Sequence, residues 1–372
     1  MRIPMEARRA ECLSCVWEAE TSSLFVEHPR ELNFAGIMHR APLKVFEIVS
    51  MIDLQAATRM GQYGFWKVVR GQLLLAALPT LAIAQEPPPQ PPPAPQNPSP
   101  MVELSRAHER IEERPLAGAA RSFEGPLAKP VSVFVPESAR KAKTLNLVIH
   151  FHGSSFLPQY AVARLRDYAV AVVQLGSGSG IYDRSFSDRT FFDSLLIDVQ
   201  RSAEEAVGHS VQIRSVILSG FSAGHGAIRA ILRDSAHFVR IDGLLLLDGL
   251  HTSYDPDRKV VADGGRLDPA NLTEFVRFAR AAIRGDKRFL ITHSEIFPGT
   301  FASTTETTNY LLETLGLKRK PTLRWGPLGM QQTSEAHSGR FAVLGFAGNS
   351  GPDHIDHFHG MYHFLAALER MR

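Results

Sequence analysis

One serine of this sequence stands in a setting that favours nucleophilic chemistry. The segment Gly220-Phe-Ser222-Ala-Gly224 has the spacing G-x-S-x-G, which puts a serine on a strained turn between a strand and a helix. The apolar run 211–218 predicts that strand, and a helix is expected to follow the turn. Unpaired amides at the start of this helix, including that of Ala223, can stabilise a developing oxyanion. The pattern therefore predicts Ser222 as a nucleophile.

A second backbone donor is expected at the end of an earlier strand. The strand that starts at Thr144 runs into the segment His150-Phe-His152-Gly153-Ser154. A His-Gly pair at such a strand end has the position of a loop that binds oxyanions. The backbone N–H of Gly153 or of Ser154 is therefore the second candidate donor. The alternative is an ordinary turn with a structural histidine.

These motifs together resemble the α/β-hydrolase superfamily. The resemblance rests on the strand before His152-Gly153, on the strand–turn–helix setting of Ser222, and on a histidine-rich segment near the C-terminus. It covers roughly residues 125–372, and within the superfamily the chain is most similar to secreted esterases of the polyhydroxyalkanoate-depolymerase and feruloyl-esterase type. The resemblance implies an α/β fold, a Ser–His–acid triad and no cofactor.

Two carboxylates are candidates for the acid of such a triad. The superfamily places the acid after the serine and before the histidine, at the end of a strand. Asp248 follows the apolar run 241–247, where a carboxylate needs a polar partner. Glu295 follows the next predicted strand, 288–292, where the superfamily more often has its acid. Both residues remain candidates, and the strand-end setting favours Asp248.

Two histidines are candidates for the base. The segment after the last predicted strand, 341–346, is rich in histidine. His354 lies far enough before the C-terminus for a final packed helix to follow it, and His357 lies one turn further on. A neutral imidazole at either position would take the proton of the nucleophile while the acid holds its tautomer. His359 and His363 are expected to belong to the final helix.

The same residues allow a metal-dependent alternative. Side chains that bind zinc cluster near the C-terminus, namely His354, His357, His359, His363, Asp353 and Asp356. However, no H-E-x-x-H spacing is present, and a zinc site would leave the serine motif unexplained. Neither a metal nor a cofactor is therefore expected. His225, three residues after Ser222, is expected on the surface of its helix.

Short apolar runs alternate with helical patterns over residues 103–372. The predicted strands are 131–136, 144–152, 169–175, 211–218, 241–247, 288–292 and 341–346, and the predicted helices include 158–167, 191–207, 268–284, 305–315 and 356–371. Continuous apolar strands separated by helices predict an α/β fold, with a mostly parallel central sheet covered by helices on both faces. The glycine-rich segment 176–186 is expected to be a flexible loop near the cleft, and Thr300–Thr308 a helix-cap region.

A secretory signal is predicted over residues 60–84. A basic segment from Met60 is followed by an apolar run and by the small-x-small end Ala82-Ile-Ala84, so cleavage is expected before Gln85. The apolar run is shorter than the ~20 residues that a transmembrane helix needs. No stable membrane span is therefore expected after cleavage, and the location is predicted to be secreted or periplasmic.

The segments on either side of this signal have separate interpretations. Residues 1–59 are a doubtful N-terminal extension, because a signal normally begins at the initiator methionine. Residues 85–102 are rich in proline, which is typical of an extended linker. A single catalytic domain is expected over 103–372.

The composition excludes several classes of protein. Of the 372 residues, 44% are apolar, which excludes a mainly disordered chain. The 41 Lys and Arg nearly balance the 38 Asp and Glu, so no nucleic-acid partner is expected. Only Cys12 and Cys15 are present, which excludes a disulfide scaffold and a four-cysteine zinc site. The oligomeric state stays open.

The sequence as a whole predicts an exported serine hydrolase. It would cleave carboxylic esters, of small molecules or of polymers, through an acyl-enzyme formed on Ser222. An amidase or peptidase with the same triad is the alternative within this chemistry. A binding protein on a hydrolase scaffold is the alternative from another class.

Overall fold

The computed structural model describes residues 107–125 and 127–371. The predicted N-terminal extension (1–59), signal (60–84) and proline-rich linker (85–102) lie outside the described residues. Within those two ranges, no helix combines the length and the apolarity that a bilayer span requires.

A ten-stranded sheet forms the centre of the described part of the chain. Its strands are β1 (Gly118–Phe123), β2 (Val131–Pro136), β3 (Thr144–Phe151), β4 (Tyr168–Val173), β5 (Gln212–Phe221), β6 (Gly243–Leu247), β9 (Arg288–His293), β10 (Lys320–Trp325), β11 (Gln331–Ser338) and β12 (Phe341–Phe346). The spatial order is β1-β2-β4-β3-β5-β6-β9-β12-β11-β10. A separate two-stranded sheet pairs β7 (Tyr254–Asp255) with β8 (Arg266–Leu267).

The six central strands of the large sheet are parallel. They run in the order β4-β3-β5-β6-β9-β12, and antiparallel strands flank them at both edges. The mostly parallel sheet predicted from the sequence is therefore confirmed. The sequence patterns missed β1, β10 and β11, and the reason for β1 and β10 is that most of their residues are exposed. Such strands lack the apolar run that reveals a buried strand.

Helices cover both faces of this sheet, as expected. They are α1 (Phe156–Val162), α2 (Ser179–Phe186), α3 (Arg189–Val207), α4 (His225–Arg233), α5 (Ser235–Arg240), α6 (Thr273–Ile283), α7 (Thr304–Thr314), α8 (Gly351–His359) and α9 (Met361–Glu369). Apolar residues of α2, α3, α4, α6 and α7 form a core with one face of the sheet. Those of α1, α8 and α9 form a core with the other face.

The buried strands explain why residues distant in the sequence meet at one edge. All five residues of β6 are buried, and their side chains alternate between the two cores, as a strand covered on both faces requires. In the parallel register, Phe221 of β5 lies beside Leu247 of β6, and Leu247 lies beside Thr292 of β9. The residues that follow these three strands therefore share the carboxyl edge, where ligands bind in open α/β sheets.

Several element boundaries differ from the sequence expectations. The segment 176–186 is not a loop throughout, because it contains α2, in which Tyr182 is fully buried. The helix predicted over 356–371 is two helices, α8 and α9, with Gly360 between them. The cap expected within Thr300–Thr308 is present, since Ser303 and Glu306 form a capping box at the start of α7.

Three buried histidines make the stability of this fold dependent on pH. Burial lowers the pKa of His150 and of His225 to about 3, and that of His293 to about 4. In the unfolded chain these groups titrate near pH 6.5, so below that pH the unfolded state binds more protons. The free energy of unfolding should be highest above pH 6.5. It should fall by about 1.4 kcal/mol per pH unit and per histidine on acidification towards pH 4.

Urea unfolding at pH 7 and at pH 5 measures this effect. A His150→Gln variant cannot acquire this charge, so its stability should decline less steeply than that of the unmodified protein. Equal unfolding free energies at the two pH values would contradict the expectation.

Candidate active site

Ser222 lies on a sharp turn at the carboxyl end of β5. Its φ of +48° is in the left-handed region, and a 3-10 turn over Ser222–Gly224 leads directly into α4. The backbone around it is tightly packed. A Cβ on Gly224 would lie 2.2 Å from the carbonyl oxygen of Phe151, and one on Gly249 would lie 2.6 Å from the backbone nitrogen of Ser222. The close packing around the turn therefore requires glycine at 224, within the turn, and at 249, beside it.

Asp248 follows β6 and is buried, with 2% of its surface exposed. One carboxylate oxygen, Oδ1, accepts hydrogen bonds from the Ser294 backbone N–H (2.9 Å) and from the Thr304 hydroxyl (2.6 Å). The other oxygen, Oδ2, accepts from the Ser294 hydroxyl (2.6 Å) and from Nδ1 of His354 (2.8 Å). These four donors provide the partners that a buried carboxylate needs.

The surroundings of Asp248 keep it ionised. Burial works to raise the pKa of its carboxyl, whereas His357 and the hydrogen bonds from His354 and Ser294 lower it. The balance leaves the pKa of Asp248 well below its usual range. A carboxylate can only accept hydrogen bonds, so it holds His354 with a proton on Nδ1.

His354 is positioned by the helix that carries it and by an aromatic ring. Helix α8 begins at a capping box between Ser350 and Asp353, and the imidazole of His354 stacks on Phe221 at a centroid distance of 4.5 Å. Because Nδ1 is directed at Asp248, Nε2 is the nitrogen left for a reacting group. Ser222, Asp248 and His354 all line one cavity of about 400 Å³.

The two rival candidates lie elsewhere. Glu295 donates its backbone N–H to the Gly348 carbonyl and lines a different cavity. His357 is buried, with Nδ1 2.8 Å from the Thr292 hydroxyl. Neither residue lines a cavity that contains Ser222. The structure thus groups Asp248 and His354 with the serine, and it separates Glu295 and His357 from it.

The loop after β3 is held by side chains that the sequence analysis did not single out. The N–H of Gly153 donates to Oε1 of Gln174 at 3.0 Å, and the hydroxyl of Tyr182 donates to the same oxygen at 3.0 Å. Tyr182 also lies 3.1 Å from Nδ1 of His152. Of the two expected donors in this loop, Gly153 is therefore engaged within the protein. Ser154, the other expected donor, is exposed.

His225 is not the surface residue that its helical position suggested. Only 2% of it is exposed, because the start of α4 packs closely against α2, where a Cβ on Gly226 would lie 2.2 Å from the Ser179 carbonyl oxygen. The Nδ1 of His225 lies 3.0 Å from the Ser222 carbonyl oxygen. The largely polar composition of α2 gave no indication in the sequence that this helix would cover His225.

The histidines considered as zinc ligands point to separate partners. His354 contacts Asp248, His357 contacts Thr292, and His359 accepts from the backbone N–H of Ile111. Within the described ranges, one group of side chains has the spacing of metal ligands, and it comprises His108, Asp353 and Asp356. There the guanidinium of Arg110 pairs with Asp356. This ion-pair group fastens the segment around residue 108 to α8.

Two cavities meet at Ser222. The first is the 400 Å³ cavity that His354 lines. We call it the apolar cavity, because one of its walls consists of Ile296, Phe297, Pro298 and Phe301. The second, of about 550 Å³, is called the polar cavity, and its lining includes Ala223, His225, Arg229, Thr252, Ser253 and Asn271. His251 and Phe301 line both cavities and so stand between them.

Comparisons with known proteins give only distant likenesses. No protein-family model and no curated protein matches the chain. Among solved structures, the chain is similar to an S-formylglutathione hydrolase from Agrobacterium tumefaciens, with 12% identity over 70% of this chain and 98% of that one, at a TM-score of 0.39. It is also similar to an acylaminoacyl peptidase from Pyrococcus horikoshii, with 13% identity over 68% and 42% of the two chains, at a TM-score of 0.42.

Gly249 offers a test of the close packing beneath the turn. A Gly249→Ala variant forces a methyl group to within 2.6 Å of Ser222, so the free energy of unfolding should fall by about 1–3 kcal/mol, as in other overpacked cores. Gly351→Ala is the matched control, because a Cβ there has no atom within 4 Å. Urea unfolding of both variants measures the difference, and equal stabilities would disprove the packing argument.

Proposed function

We propose that this protein is a serine hydrolase that cleaves carboxylic esters through an acyl-enzyme. The chain has the α/β-hydrolase fold, with its parallel sheet and with a strand–turn–helix elbow at Ser222. The observation that carries the proposal is the 2.8 Å hydrogen bond between buried Asp248 and Nδ1 of His354, in the cavity that Ser222 also lines. That arrangement suits a nucleophile with a base and an acid that orients the base.

In the proposed reaction, Ser222 Oγ attacks the carbonyl carbon of the ester, and Nε2 of His354 takes the hydroxyl proton. Negative charge then develops on the former carbonyl oxygen. The backbone N–H groups of Ala223 and Ser154 are assigned to stabilise it, since Gly153 already donates to Gln174. His354 next gives its proton to the leaving alcohol as the carbon–oxygen bond breaks.

The second half of the reaction releases the acid. Water attacks the acyl group on Ser222, again losing its proton to His354, and the collapse of the tetrahedral intermediate returns that proton to Ser222. Throughout both halves, Asp248 stays charged and supports the imidazolium that forms on His354. Its low pKa keeps it in this form at neutral pH.

A fluorophosphonate probe tests the nucleophile. The unmodified protein should be labelled and should hydrolyse short p-nitrophenyl esters, whereas Ser222→Ala should not be labelled. Asp248→Asn and His354→Ala should slow labelling and turnover by about 10³-fold or more, because His354 is the base and Asp248 orients it. Persistent labelling of Ser222→Ala would overturn the assignment.

Matched controls come from the rival residues. Glu295→Gln and His357→Ala should retain far more activity than Asp248→Asn and His354→Ala, once activity is measured per folded molecule. Hydrolysis of anilides but not of esters would favour an amidase or peptidase instead. An intact protein that is neither labelled nor active would favour a binding protein.

We also propose that the enzyme is exported, to the periplasm or the medium. The basis is the sequence pattern over 60–84, a basic segment followed by an apolar run that ends in Ala82-Ile-Ala84. N-terminal sequencing of the protein recovered from the periplasm or medium of a secretion-competent bacterial host identifies the first residue of the exported protein. A mature N-terminus at Gln85 is expected. Recovery of peptides from residues 1–59 in the exported protein would contradict it.

A further inference from the structure

The two cavities at Ser222 differ in what they offer to the two halves of an ester. His354 lines the apolar cavity and does not line the polar one. In the proposed reaction His354 must hand its proton to the oxygen of the leaving group, so that group has to lie on the His354 side. The leaving group therefore occupies the apolar cavity. The acyl group, which receives no proton from His354, extends into the polar cavity.

Two histidines give the polar cavity a defined hydrogen-bonding character. Nδ1 of His225 lies 3.0 Å from the Ser222 carbonyl oxygen, and Nδ1 of His251 lies 3.0 Å from the Ala302 carbonyl oxygen. A carbonyl oxygen can only accept a hydrogen bond, so each Nδ1 carries the proton. In a neutral imidazole the other nitrogen, Nε2, is then an acceptor. Burial lowers the pKa of both rings, which keeps them neutral near pH 7.

Asn271 adds a third acceptor to the same cavity. Its Nδ2 donates to the Thr252 hydroxyl (3.2 Å) and to the Asp268 carboxylate (3.1 Å). These two bonds use the amide nitrogen and leave the amide oxygen for a ligand. The lining of the polar cavity thus includes two imidazole nitrogens and one amide oxygen that can only accept, beside the hydroxyls of Ser179 and Ser253, which can also donate. A ligand that satisfies the three acceptor-only groups must supply hydrogen-bond donors.

The charges around the cavity indicate what kind of donor is suitable. Arg229 pairs with Asp183 at 2.7 Å, and Arg233 contacts the other oxygen of Asp183 at 3.1 Å. With the Asp268 carboxylate, which accepts from Asn271, these groups are two cations and two carboxylates, so they leave no net charge beside the cavity. A neutral hydroxyl is a donor that needs no counter-charge there, whereas an ammonium group would need one.

We propose that the polar cavity is an acyl subsite for hydroxylated acyl groups, in which Nε2 of His225 and Nε2 of His251 accept hydrogen bonds from acyl hydroxyls. This inference rests on the proposed function, because it takes Ser222 as the nucleophile and His354 as the proton donor to the leaving group. The aromatic and aliphatic wall of the other cavity then holds an apolar leaving group.

A matched series of p-nitrophenyl esters tests the subsite. The acyl groups are hydroxyacetate, its methyl ether methoxyacetate, and the isostere propionate, with kcat/KM divided by the rate of alkaline hydrolysis of each ester to remove intrinsic reactivity. The ether keeps the oxygen but lacks the donor. We expect hydroxyacetate to exceed both comparison esters by about five- to tenfold, the gain from the one neutral hydrogen bond that its single hydroxyl can donate. Equal normalised values for all three esters would overturn the proposal.

Variants of His251 locate the effect. His251→Phe removes the acceptor, so the hydroxyacetate-to-methoxyacetate ratio should fall about threefold or more towards one, and His251→Gln, which has an amide oxygen, should recover part of it. His209→Phe is the control, because His209 is exposed near the opposite end of β5, and it should leave the ratio as in the unmodified protein. A ratio that stays unchanged in His251→Phe would also overturn the proposal.

The outcomes separate this inference from the proposed function. If all three esters are hydrolysed without preference and Ser222 is labelled by the fluorophosphonate, the subsite is refuted and the serine hydrolase stands. If no ester is hydrolysed and Ser222 is not labelled, the proposed function fails and the subsite fails with it.

Discussion

The buried hydrogen bond between Asp248 and His354 is the interaction on which the rest of the site depends. The carboxylate is almost wholly buried, and its four donors come from the end of β9, the start of α7 and the middle of α8. Removing one partner of a buried hydrogen bond typically costs about 1–3 kcal/mol, and more when the group left unsatisfied is charged, as Asp248 is. The position of His354 relative to Ser222 is therefore tied to the relative positions of three separate elements.

The parallel sheet makes this meeting possible. Strands β5, β6 and β9 are neighbours in register, so Ser222, Asp248 and Ser294, which directly follow them, lie along one edge. Glycines allow the final approach, since Gly249 packs against the backbone of Ser222. On the far side of the elbow, Tyr182 and Gln174 fix the loop at Gly153. Rigid strands and close packing thus supply the preorganisation that a reacting site needs.

Sequence patterns predicted the fold well where burial controls the residue types. The apolar runs of β3, β5, β6, β9 and β12 were found because strands covered on both faces must be apolar throughout. The patterns failed at β1 and β10, whose residues are mostly exposed. They also failed at α2, where a glycine-rich start concealed a helix with a buried Tyr182. In each case the missing information was a tertiary contact rather than a local preference.

The sequence by itself determined the candidate nucleophile and the type of sheet. Both depend on local features, namely the spacing around Ser222 and the length and apolarity of single strands. Only the tertiary structure decided that Asp248 and His354, rather than Glu295 and His357, share a cavity with Ser222. The physical reason is that a hydrogen bond across 106 positions of the chain depends on strand register and on helix orientation. Long-range packing determines strand register and helix orientation, and the spacing of residues within one segment contains no information about that packing.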